Sequence, residues 1–346
     1  MIGRGSIART EAWQHEAVVS PETTRPAQMA KIFGYLKGMH ATYLLDLGVR
    51  LRLFQRLGEA PGGLHAADLT AACGMDAGYT RCWCETACAL ELLDYDPEAG
   101  YRLAPFMDEL LARPEATFSL AGFPTAHLMF SRDYARYPEL FRSGGVQPYA
   151  EHDEAFLTAV AGATATLPRM FCEAVLPGLP DLKARLETGA AVLDVGCGAG
   201  HALVTLAERF PKARCVGIDV EPVSIGLADK LISERGLDDR VQARLLEADS
   251  DWPADLAGAF DLVTTFLVLH EIHPDHKAAV LARCAQALTP DGVLLLFDER
   301  YPSGPGELRD LTQIFAVMAQ WYETTWGNVL NTREEIAKLL AGAGLT

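Results

Sequence analysis

Long apolar runs are missing from this chain. Nowhere do eighteen uncharged apolar residues follow one another, so composition offers no uninterrupted membrane-spanning helix. The N-terminal stretch MIGRGSIARTEAWQHE lacks the continuous apolar core of a signal peptide, and the expected compartment is the cytoplasm, with no membrane partner. Basic residues are scarce too: 30 Lys plus Arg stand against 46 Asp plus Glu, a formal charge of −16. A net field of that sign repels phosphate backbones, which argues against a nucleic-acid partner. Cysteine is sparse at 8 in 346 residues, several of them inside apolar segments, which excludes a disulfide scaffold. What is present is a 49 % apolar chain with mean hydropathy near zero, long enough for two domains.

Residues 1–26 mix charge, Ser, Thr and Pro without a period and read as a flexible arm. From Ala27 onward, apolar residues recur at three and four (Met29, Ile32, Phe33, Leu36, then Tyr43, Leu44, Leu47), the spacing of packed amphipathic helices. The breaker APGG follows, then two helical stretches ending near Asp96, then a turn and short strand in PEAGYRLAP. Helices, a helix-turn-helix and a small hairpin are the order of a winged helix, expected over 27–112. Residues 113–188 read as an interrupted helical linker or lid rich in aromatics. Residues 189–346 then alternate strand and helix: AVLDVG, ARCVGID, VQARLLEAD, FDLVTTFLVLH and GVLLLFDE are the strands. That alternation calls for a doubly wound α/β sheet of Rossmann type, with ligands at the carboxyl ends of the strands.

The first of these strands stops in VLDVGCGAGH. Gly196, Gly198 and Gly200 allow a tight turn and close ligand approach, and the next helix offers its positive N-terminal end. The spacing G-x-G-x-G is neither the dinucleotide fingerprint nor a P-loop. Asp194 at the turn would oppose a pyrophosphate and favour a cationic ligand, which fits S-adenosylmethionine, a nucleoside with an ammonium, a sulfonium and no phosphate. Asp219 and Asp249 fall where the second and third strands end, placed for ribose hydroxyls and the adenine amino group.

Together VLDVGCGAG, GIDVEP, EADSDWP, FDLVTTFLVLHEI and LTPDGVLLLFDE resemble the motifs of class I S-adenosylmethionine-dependent methyltransferases over about 190–300. With the winged-helix-like region ahead of them, the chain is similar to small-molecule methyltransferases of the plant O-methyltransferase type. The resemblance implies S-adenosylmethionine as cofactor, S-adenosylhomocysteine as product, a small-molecule acceptor and a homodimer through the N-terminal domain. It places Asp194 and the glycines at the methionine part, Asp219 with Val220 at the ribose, Asp249 with Ser250 at the adenine, and Phe266 and Leu267, past the fourth strand, along the cofactor. In one respect the sequence departs from that family's pattern: two further strands ordinarily close the sheet after the helix in TREEIAKLLAGAG, and without them GVLLLFDE would be an apolar edge, so either the sequence is a truncated one or another segment or subunit fills the place.

Methyl transfer needs a base only where the acceptor loses a proton. HEIHPDH supplies His270 as the candidate base, with a hydrogen-bonded structural histidine as the competing reading, and Glu271 to orient it or meet the acceptor. His270 and His273 also share metal-ligand spacing, but Pro274 starts the next helix and leaves both ahead of it, so no metal is expected. Phe130, Tyr134, Tyr137, Trp321 and Tyr322 are candidate acceptor contacts, helix packing being the plainer account of each. Asp298, Glu299 and Arg300 either touch substrate or form a charged loop. The alternative function is a nucleotide-sensing winged-helix regulator. Its recognition helix over 76–94 has Arg81 alone against Asp76, Glu85, Glu91 and Asp94, too little positive charge to read DNA.

Overall fold

The computed structural model describes residues 24–246 and 251–345, in two compact units. One holds residues 24–132 with 158–170, and the other 133–157 with 171–345. The stretch 113–188, expected as one linker, is thus shared between them.

In the first unit, α1 (Arg25–Arg50), α2 (Leu53–Gly58), α3 (Ala66–Cys73) and α4 (Ala77–Ala89) lead into a hairpin of β1 (Leu93–Asp96) and β2 (Gly100–Leu103). Helix α1 starts two residues before the expected Ala27, with the Thr24 side chain accepting from Ala27 N. Asp76 caps α4 by accepting from the N–H groups of Gly78 and Tyr79. Antiparallel pairing runs from Leu93↔Leu103 to Asp96↔Gly100, and Leu64 bridges Tyr101 from outside, completing the wing. The core gathers Phe54, Leu57, Leu69, Cys84 and Leu93. Phe54 meets Trp83 edge-on at 5.1 Å over Gly48, where an added Cβ would collide with both rings. Cys84 is part of this core, and burial pushes its thiol up to about 12; all eight cysteines are free. The first turns of α1 are different. Met29, Ile32, Phe33, Leu36 and Met39 make an exposed apolar stripe. The unit continues into α5 (Gly122–Ser131).

In the second unit, α6 (Tyr137–Ser143) comes first. Next in the chain, α7 (Glu154–Thr164) crosses the boundary between the units and α8 (Thr166–Met170) belongs to the first. The helical run Glu154–Gly178 is long and apolar enough to cross a membrane by length and composition alone, though Arg169 and Glu173 interrupt it and half of its most apolar window is buried.

After α9 (Pro180–Thr188) the sheet begins: β3 (Ala191–Val195), α10 (His201–Arg209), β4 (Arg214–Asp219), α11 (Pro222–Glu234), β5 (Val241–Leu245), β6 (Phe260–Phe266), α12 (Pro274–Ala287) and β7 (Leu288–Phe297). The strands are parallel in the order β5-β4-β3-β6-β7, so the order reverses at β3. Alternation along β3 sends Val192 into one apolar cluster, with Leu203, Leu206 and Phe210, and Leu193 into another, with Val263 and Cys284. Both faces of the sheet are therefore covered, as a parallel sheet requires. Among the described residues, no strand pairs with the far side of β7. The chain instead turns into β8 (Arg300–Tyr301), which pairs in parallel with β9 (Asn331–Thr332); α13 (Ile314–Trp326) lies between them and α14 (Arg333–Gly342) follows. Helix α14 opens with the capping box of Thr332 and Glu335.

Candidate active site

The reversal of strand order at β3 opens a crevice at the strand tips, the place where such sheets take ligands. Asp194 sits at the tip of β3, beside Gly217 on one strand and Thr264 on the other. It is 2 % exposed, and Thr264 Oγ1 donates a hydrogen bond to its carboxylate at 2.6 Å. Burial pushes its carboxyl up to about 7; Thr264 opposes the shift and Asp219 adds to it. No positive side chain among the described residues offsets it. A buried acid without a cation is costly, and a cationic ligand would remove the cost.

The loop after Asp194 is tied down by main-chain bonds from Gly196 N and Cys197 N to Ile218 O. Gly196 has φ +71°, and a Cβ there would strike Val268 at 2.5 Å. Gly198, at φ +50°, has nothing within 4 Å of where its Cβ would stand, so its face is open to a ligand. Gly200 is the N-cap of α10 in the left-handed region. Asp219 Oδ2 accepts from Gly198 N at 2.8 Å and Oδ1 from Glu221 N at 2.9 Å. One lone pair per oxygen is spent on holding the loop, and the other is left for a diol. Burial raises the Asp219 carboxyl against these bonds. Val220 is exposed beside it. Asp249 and Ser250 lie outside the described residues.

Phe266 is the last residue of β6, not past it as expected. Its ring packs between Phe171 and Phe297. The strand expected to run on to His270 breaks at Leu267, where φ is +58° and the N–H bonds to Phe297 O. That turn brings His270 beside the tip of β7. His270 Nδ1 lies 2.6 Å from Asp298 Oδ1, and its main-chain N–H donates to Asp298 Oδ2 at 3.1 Å. Asp298 therefore holds the proton on Nδ1 and leaves Nε2 as the accepting nitrogen of a neutral ring. Nε2 is 3.7 Å from Glu323 Oε1 on α13, beyond hydrogen-bond distance. Burial would lower the imidazole, but Asp298, then Glu323 and Glu271, outweigh it and raise it to about 9. Glu271 is exposed to solvent, yet protein surrounds it closely enough for desolvation to push its carboxyl up to about 8.

Behind this group, Lys277 is 3 % exposed and donates to Val329 O and Asn331 Oδ1 at 2.9 and 3.0 Å. Val329 N in turn bonds His270 O. Gln320 donates to Asn328 O and accepts from Leu330 N, while Asn328 donates to Glu323. The 328–331 turn is thereby pinned against His270. His273 caps α12, accepting from Asp275 N, so His270 and His273 stand ahead of that helix as the proline implies.

Of the aromatic candidates, Tyr134, Tyr137 and Trp321 meet in this unit: Tyr137 is 4.8 Å from Tyr134 and 5.5 Å from Trp321, centroid to centroid. Tyr137 is buried, whereas Tyr134 and Trp321 are half exposed. The Tyr322 hydroxyl lies in the field of Glu299, Glu323 and Glu271. Phe130 is buried in α5. Reading the sequence missed Glu323 and Lys277, and gave Asp298 no role toward His270. A signal for Asp298 existed: it follows Phe297, which stands in register with Phe266. The others come from helices and loops whose docking no local pattern reveals.

A parallel sheet with this strand order, an acid and a glycine loop at the first tip, and a histidine–carboxylate pair at the fourth and fifth define a class I methyltransferase architecture. Residues 193–294 match the methyltransferase domain family. The chain is 30 % identical over 168 residues to an uncharacterized methyltransferase of Synechocystis, covering 49 % of this chain and 72 % of that one. It is 40 % identical over 123 residues to nocamycin O-methyltransferase of Saccharothrix syringae, 35 % of this chain but only 41 % of that enzyme. Human N-acetylserotonin methyltransferase, solved with S-adenosylmethionine, shares the fold at a TM-score of 0.67 and 19 % identity, with 94 % of each chain covered. The chain belongs to the methyltransferases.

Proposed function

We propose that this methyltransferase takes its methyl group from S-adenosylmethionine and passes it to a hydroxyl of a small molecule. The observation that carries this is Asp194, a buried carboxylate with no cation of its own, set beside the open face of Gly198. Asp194 and the main chain of the glycine loop would hold the methionine part, and the second lone pairs of Asp219 the ribose. When bound, S-adenosylmethionine supplies a methyl carbon already activated for displacement. The protein's part is alignment and proton handling. His270 Nε2 takes the hydroxyl proton as the new bond forms, and Asp298 holds the resulting imidazolium by its Nδ1–H. Glu323 stabilises the same positive charge from the other side.

The His270–Asp298 pair favours an acceptor that loses a proton over a thioether, which needs no base. A further expectation, a homodimer through the first unit, is supported by the exposed stripe of α1, since apolar surface of that extent marks an interaction site. The DNA-binding alternative gains no support: Arg81 on α4 pairs with Glu85 at 3.9 Å.

The test is calorimetry with S-adenosylhomocysteine and NADH. Binding of the former alone is expected, and tight NADH binding with no heat from S-adenosylhomocysteine would sink the reading. A tritiated methyl-transfer assay against metabolite pools then finds the acceptor.

A further inference from the structure

The acceptor side of the cleft holds more carboxylates than a proton relay needs. Asp298 is fully engaged, its oxygens taken by His270 Nδ1 and by the main-chain N–H groups of His270 and Glu299. Glu271, Glu299 and Glu323 crowd the same imidazole in addition. Among the described residues, His270 is the sole positive group acting on Glu299 or Glu323. Of the three, Glu323 alone has a side-chain hydrogen bond among the described residues, accepting from Asn328 Nδ2. Glu271 is open to solvent, but Glu299 Oε2 is completely buried with no hydrogen-bond partner among the described residues. Stranded polar atoms of this kind are expensive unless a ligand supplies the missing donors. Aromatic rings stand alongside: Tyr322 lies in the field of these glutamates, and its ring is 5.1 Å from that of Trp326. Carboxylates with aromatic faces are the chemistry that recognises an organic cation.

Resting on the methyl-transfer reading above, we propose that the acceptor is a planar hydroxylated ring bearing a protonated amine. Its ammonium sits between Glu271 and Glu299 against Tyr322, while its hydroxyl faces His270 Nε2. A carboxylated acceptor would add negative charge where the protein already has an excess. Burial raises Glu299 to about 7 and Glu271 to about 8, so both are partly protonated in the empty site at neutral pH. A bound cation draws them into the ionised form and protons are released. His270, Asp298, Glu323 and Asp219 are the charged groups that face this pair and share in the linkage.

The test uses the full chain saturated with S-adenosylhomocysteine and three probes sharing one ring: tyramine (cationic), tyrosol (neutral) and 4-hydroxyphenylacetate (anionic). Calorimetry should give tyramine an affinity about tenfold above tyrosol and about a hundredfold above the acid, with proton release seen as buffer-dependent heat. Glu299→Gln and Glu271→Gln should each remove about tenfold from tyramine while leaving tyrosol within about twofold. Equal affinities, no binding of tyramine, preference for the acid, or a preference that survives both substitutions would each overturn the proposal. Failure of S-adenosylhomocysteine to bind the wild-type chain would overturn the methyl-transfer reading beneath it. Normal S-adenosylhomocysteine binding without cation preference overturns the acceptor class alone.

Discussion

The two sides of the crevice are built by opposite means. At the β3 and β4 tips, nearly every functional group belongs to a contiguous stretch: Asp194 through Gly200 makes one turn, and Asp219 ties that turn down from the next strand through a single hydrogen bond. At the β6 and β7 tips, the groups come from far apart in the chain: Asp298 is 28 residues from His270, and Glu323 reaches it from α13. The first side is organised by backbone geometry, which glycine imposes locally. The second is organised by side chains that meet only after helices dock. Each side also carries its own burden of buried charge: a lone acid at Asp194, and a histidine crowded by carboxylates at His270.

If the two sides have separate duties, removing a group from one should leave the other working. The largest effect is expected from His270→Ala, a loss of about 10³-fold in kcat/KM with S-adenosylhomocysteine affinity within about twofold of wild type. Unchanged turnover in that variant would return His270 to a structural role. Asp298→Asn should cost about 10²-fold in kcat and move the pH–rate profile down, because the carboxylate that raises the imidazole is gone. In the wild type, His270 must be neutral to accept a proton, so the rate should climb as pH rises toward about 9. The same raised value makes a stability contribution that is complete below the ordinary histidine pKa and fades as pH rises through about 9, readable as a fall in Tm over that window.

On the other side, Asp194→Asn should weaken S-adenosylmethionine by about tenfold to a hundredfold while sparing acceptor affinity. Ionised Asp194 is the binding form. Wild-type affinity should therefore increase between pH 6 and 8, around its value of about 7, and a flat profile would break the assignment. The smallest effect belongs to Lys277→Met, expected to cost about 1–3 kcal/mol of stability by denaturant titration, because Val329 O and Asn331 lose their buried donor.

The five strands of the large sheet and the glycine turn were legible because they rest on local signals: short Val- and Leu-rich runs, the G-x-G-x-G spacing, and Asp194 and Asp219 at the ends of the first two strands. The winged-helix order was legible for the same reason. Where local reading went astray, a nonlocal contact decided the outcome. The FDLVTTFLVLH run looks like one long strand, but Leu267 takes a left-handed conformation so that its N–H can reach Phe297 O, and the chain turns away before His270. Within 113–188, read as a helical linker or lid, Asp133 accepts from Trp326 Nε1 and lies 2.9 Å from His152 Nε2, contacts that no local pattern signals.

By itself the amino-acid order determined the parallel sheet, the ligand-binding edge and the preference for a cationic nucleoside, since hydrophobic period, glycine φ freedom and the sign of a charge act over a few residues. Tertiary structure alone decided which carboxylates surround His270, how basic that ring becomes and which glutamates stay unpaired. Those properties depend on burial and on distances between groups far apart in the chain, and neither exists until the helices have packed.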